Sequence, residues 1–171
     1  MGGGRLHILE RAHKVMNLMR LLSGRMNSFG NQFVSKLHLH EEHELYHKHK
    51  HNQLLMSLKV EPSMANLNGT LHGGAIATII DVSTTIAVMS MDKKDRANVS
   101  AELNMSFLSA APIGEDIFVL SQVDRIGKNV AFTQCWIFNN MHDTLVSGRH
   151  IKAFLDQKFS LDGELLYPKK E

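Results

Sequence analysis

His72-Gly73-Gly74, followed by a single acid at Asp81, is the part of this 171-residue sequence whose residue types can do chemistry. Glycines at a helix start let another group approach the backbone closely. The first turn of a helix has unpaired N–H groups and the positive end of the dipole, which can hold an oxyanion. Asp81 is the only charged residue in the run 75–91. A carboxylate inside an apolar run is costly unless paired, so Asp81 is either a satisfied buried acid or a working one. The pair of glycines is by itself either a cap or a site. Eight residues separate Gly73 from Asp81, about 12 Å by helical rise, too far for both to act on one carbonyl within a single chain. A two-fold dimer removes the difficulty by bringing a neighbour's Asp81 beside Gly73.

The elements around these residues follow from periodicity. Run 75–91 is rich in β-branched residues, yet too long for one strand, and reads as a buried helix. It is short of the roughly twenty residues of a membrane span, and its central carboxylate disfavours one. Residues 99–107 alternate, with Val99, Ala101, Leu103, Met105 and Phe107 on the apolar phase. Strands are expected at 117–126 and 130–138, joined at Gly127-Lys128-Asn129 as a hairpin, and then at 144–155. Segments 33–39 and 53–60 also read as strands. The order of elements is one long helix followed by an antiparallel meander, an α+β domain.

Composition narrows the function. A net charge of +2 does not suggest a nucleic-acid protein. One cysteine, Cys135, excludes a disulfide framework and a thiolate zinc site and points to a reduced compartment. Residues 1–32 read as an amphipathic helix carrying Arg5, Arg11, Lys14, Arg20 and Arg25. This is either a peripheral helix or a mitochondrial targeting segment. Six histidines, among them His47, His49 and His51, crowd the stretch 38–51. Alternate histidines on a strand can share a metal, but a solvated loop accounts for them as well. The tail from 157 to 171 reads as frayed.

Asn66-x-x-Gly69-Thr70-Leu71-His72-Gly73-Gly74 with Asp81, Val99-Ser100-Ala101-Glu102-Leu103-Asn104, Gly114-Glu115-Asp116-Ile117 and Gly148-Arg149-His150-x-Lys152 together resemble the hotdog-fold acyl-CoA thioesterases of the PaaI-like group. The resemblance implies an antiparallel sheet wrapped around the long helix, spanning 33–156, with the His-rich stretch inserted between the first two strands. It implies homodimers that pair again, no cofactor or metal, and a site across the dimer interface. In that scheme the Gly73 N–H and the Asn66 side chain polarise a thioester carbonyl. Asp81 of the partner subunit acts as base or nucleophile, Ser100 of the same subunit orients water, and His72 shapes the loop. Phe107, Leu108, Ser109, Arg125, Gly127, Lys128 and Asn129 would meet the acyl-CoA. The rival readings are a non-catalytic acyl-CoA scaffold, which would need no Asp81 or Ser100, and a metal module built on the histidines.

Overall fold

The computed structural model describes residues 3–26, 28–46 and 51–161. Six antiparallel strands form one sheet in the order β1-β2-β4-β5-β6-β3. They are β1 His38–His40, β2 Gln53–Lys59, β3 Arg96–Phe107, β4 Asp116–Ile126, β5 Val130–Phe138 and β6 Thr144–Lys158. Helix α1 spans Gly3–Met26, α2 spans Asn31–Val34, and the long α3 spans Gly73–Met91. This is the hotdog arrangement, with α3 lying against the sheet and α1 against α3.

Helix α3 keeps its helical form despite β-branched residues because its burial in the core overrides their weak propensity, and its hydroxyls bond back to the preceding turn. Thr78 donates to the Gly74 carbonyl, Thr84 to Ile80, Thr85 to Asp81 and Ser90 to Ile86. Each buried hydroxyl is thus satisfied without leaving the helix. Ile79, Ile80, Ile86, Ala87 and Val88 are fully buried in the core. By length and composition α3 could cross a membrane, but two thirds of its most apolar stretch is buried inside the fold. Strand β5 follows the period-two pattern closely: Ala131, Thr133, Cys135 and Ile137 are buried while the alternate residues are not.

Three expectations need correction. Residues 33–39 do not form a strand: α2 ends at Val34 and β1 begins at His38. Phe33, Val34 and Leu37 are the buried residues there, and their spacing is helical rather than alternating. The chain beyond Asp156 is not frayed at once, because β6 continues to Lys158. Phe159 is buried, and its N–H donates to the Asp95 carbonyl at 2.9 Å. The third correction concerns β3. A bulge between Ser100 and Glu102 shifts its phase, so Ser100, not Val99, faces α3. Val99 is left exposed while Leu103 and Met105 still pack on the core.

Helix α1 packs Leu9, Ala12, Val15, Met16 and Leu18 into the same core. Its arginines are not all solvated. Arg11 caps the end of α3, donating to the carbonyls of Met89, Ser90 and Asp92 and pairing with Asp95 at 2.7 Å. Arg20 donates to the Val34 and Leu37 carbonyls.

Candidate active site

The loop 65–72 delivers the start of α3. Gly69 takes φ of +73°, and the Asn66 side chain accepts the N–H groups of Asn68 (2.9 Å) and Thr70 (3.3 Å). One Asn66 amide proton goes to the Thr70 hydroxyl at 2.9 Å, so this side chain also holds the turn. His72 is the N-cap of α3, with Nδ1 accepting the Gly74 N–H at 2.8 Å. A Cβ on Gly74 would stand 3.1 Å from that Nδ1, which is the close approach that favours glycine there. Gly73 opens the helix, where N–H groups lack intrahelical acceptors. The Phe107 ring lies 3.6 Å from where a Gly73 Cβ would be. Leu108 and Ser109 follow, their N–H groups held by the Leu145 carbonyl. Phe107, Leu108 and Ser109 are exposed.

Asp81 sits two turns along α3 with its side chain 45% exposed. Ser100 Oγ donates to Asp81 Oδ1 at 2.7 Å across from β3. The Lys152 ammonium, 2% exposed on β6, bonds the same Oδ1 and also donates to Ser100 Oγ at 3.1 Å. His150, fully buried, places Nε2 3.8 Å from Oδ1 and has Nδ1 2.7 Å from the Thr84 hydroxyl. Burial alone would raise the Asp81 carboxyl. The Lys152 charge and the Lys152 and Ser100 hydrogen bonds outweigh it, so Asp81 lies below its ordinary value. Burial pushes His150 down to about 4, with help from the Lys152 charge, so the ring is neutral at physiological pH. Burial also lowers Lys152, and the Asp81 charge offsets part of that.

The residues expected from sequence therefore fall into two groups. Asn66, His72, Gly73 and Phe107–Ser109 gather at the N-terminal end of α3. Asp81 and Ser100 lie further along, at the sheet end that carries the hairpin: Lys152 pairs with both Ser100 and Ala131, just past Asn129. Arg125, Lys128 and Asn129 are exposed there. Arg96 donates to the Gly127 and Lys128 carbonyls and so braces the hairpin. Ser100 and Phe107 are seven strand residues apart, about 23 Å. One chain does not bring the two groups together.

Sequence patterning assigns no role to Lys152, His150 or Thr84. Alternation puts His150 and Lys152 on one face of a strand, but Ile151 and Ala153 on the other face are apolar, so the buried face is unreadable. His47 and His49 lie outside the described residues. Among the described residues no group of three or more His, Cys, Asp or Glu is arranged to hold a metal ion. His43 instead packs with His40, His142 and Phe118.

The fold is that of the hotdog proteins, and comparison with known proteins identifies the chain as a thioester hydrolase. The family described as Thioesterase superfamily matches residues 68–145. Human acyl-coenzyme A thioesterase 13 is 36% identical over 101 residues, covering 58% of this chain and 71% of the relative. The crystal structure of zebra fish thioesterase superfamily member 2 superposes with a TM-score of 0.67 at 30% identity, covering 82% of this chain and 96% of that one. The mouse thioesterase superfamily member 2 structure gives 0.65 at 27% identity, covering 83% and 96%. The chain belongs to the thioesterase superfamily.

Proposed function

We propose that this protein hydrolyses fatty acyl-CoA of medium to long chain to the free acid and coenzyme A, at a site shared by two subunits of a homodimer. The observation that carries the reading is the split just described: an oxyanion corner at one end of α3, and a carboxylate–hydroxyl pair two turns away. Two-fold pairing unites them. Strand β3 is the natural seam. It is a twelve-residue edge strand with Val99 and Phe107 exposed, the kind of edge that proteins cover or pair. Such dimers pair again in this reading.

The Gly73 N–H and the second Asn66 amide proton polarise the thioester carbonyl. Asp81 of the partner subunit takes a proton from water, and the hydroxide forms a C–O bond at the carbonyl carbon. The tetrahedral oxyanion is held at Gly73 and Asn66. Its collapse breaks the C–S bond and expels the thiolate, which the proton on Asp81 then neutralises by way of solvent. Ser100 keeps the carboxylate oriented, and His72 holds the loop through Gly74. The hairpin residues Arg125, Gly127, Lys128 and Asn129 meet the coenzyme A phosphates. A cavity of about 490 Å³ beside His72 and Gly74, lined by Phe29, Phe33, Met64 and Ala75, supports an apolar acyl group. The name of the human relative supports coenzyme A as the leaving group.

Residues 33–156 act as the hotdog unit in this reading, in mitochondria or cytoplasm. The burial of Leu9, Ala12 and Val15 of α1 in the core supports a working protein that keeps this helix. A panel of acyl-CoAs assayed with a thiol-reactive dye tests the proposal. Release of free thiol that rises with chain length is expected. Tight acyl-CoA binding without release would instead identify a scaffold.

A further inference from the structure

We infer that Lys152 is a positioning residue for hydrolysis, its ammonium locking the Asp81 carboxylate and the Ser100 hydroxyl into one rigid triangle. This rests on the thioesterase reading and adds to it a residue outside the motif around α3.

Three observations converge. Lys152 is 2% exposed, and lysine is almost never buried so fully unless paired. Its partners are the two groups assigned to water activation: Nζ reaches Asp81 Oδ1 and Ser100 Oγ. The triangle closes because Ser100 spends its own proton on Asp81, leaving its oxygen to accept from Lys152. Lys152 and Ser100 both bond a single carboxylate oxygen, Oδ1, and His150 Nε2 stands 3.8 Å from it. Oδ2, outside these contacts, is left to take the water proton.

Packing does not account for a lysine at this place. Replacing a buried ion pair by apolar residues of similar volume is often neutral or stabilising. Leu145 and Val146, further along the same strand, are buried apolar residues, and a residue of that kind would occupy this position without the desolvation cost. A buried lysine kept against that cost points to the chemistry of its partner. The charged or titratable groups facing Asp81 are Lys152 and His150, both from β6; β3 contributes the neutral Ser100. With His150 neutral, Lys152 is the one positive charge among the described residues that offsets the burial of the carboxylate.

The experiment is steady-state hydrolysis of a long-chain acyl-CoA by full-length Lys152→Met across pH, with thermal unfolding as a control. We expect kcat to fall about tenfold or more while KM stays within about threefold. The acid limb of the kcat profile should move upward, since Asp81 keeps its burial and loses its cation. Lys152→Arg should return part of kcat and most of the acid limb. If Lys152→Met does not fold, Lys152→Gln is read in the same way. A folded neutral variant with wild-type kcat overturns the inference, as does a loss of kcat with the acid limb unmoved. Either result leaves the thioesterase reading intact if the wild type hydrolyses acyl-CoA and Asp81→Asn does not. An inactive wild type sinks that reading, and the inference with it.

Discussion

The two ends of the site are built in opposite ways. At the start of α3, Asn66, His72 and Gly73 come from one continuous loop and are held by local backbone bonds: Asn66 to Asn68 and Thr70, His72 to Gly74. At Asp81 the partners come from two distant strands, with Ser100 nineteen residues away and Lys152 seventy-one. The first is a local motif, made of turn formers at set spacing. The second exists only after the sheet has closed on the helix. The loop supplies neutral backbone donors suited to a developing oxyanion. The buried cluster supplies a carboxylate whose charge is maintained by tertiary contacts. The lesson is that donors can be encoded by adjacency, whereas an ionised base inside a core needs a long-range counter-charge.

The largest expected effect breaks the far half alone. Asp81→Asn should lower turnover by about 10²–10⁴ while the protein stays folded, read as thiol release together with circular dichroism. Wild-type turnover would remove Asp81 from the mechanism. Asn66→Ala strikes the near half and should lower kcat by about 10²–10³, with a small loss of stability because the turn also uses that side chain. Mixing the two variants sharpens the comparison. Random re-pairing of subunits makes half the dimers mixed, each with one intact site, so activity should recover to about a quarter of wild type. No recovery would place both halves in one chain. The buried half should also show itself by titration. Because burial favours the neutral ring, His150 should protonate near about 4 rather than at the ordinary 6.5, followed by its NMR ring signals. The smallest effect belongs to the loop. Gly74→Ala presses the His72 cap at 3.1 Å but gains helix propensity, so stability should change by less than about 1 kcal/mol in denaturant unfolding.

How far each half can be read in advance follows from the same contrast. The loop and α3 were legible because turn residues, cap and apolar run are contiguous, and the hairpin at Gly127-Lys128-Asn129 sits between two clear strands. Helix α2 is not legible because Phe33 and Val34 are individually good strand residues, and only their joint burial with Leu37 shows the helical spacing. The phase of β3 was misread because alternation cannot announce a bulge. That bulge is what turns Ser100 toward Asp81. Spacing alone does not show that Arg11, one of five cations on the N-terminal helix, closes the end of α3.

Short-range chemistry was thus written into the residue order: the helix start with its free donors, the single acid in an apolar run, the period-two strands and the distance between Gly73 and Asp81 along one rigid rod. Tertiary structure decided what surrounds that acid. Whether a strand lysine meets water or a carboxylate depends on which sheet face covers the helix, and that is set by register and bulges, to which a pattern of apolar neighbours on both sides is blind.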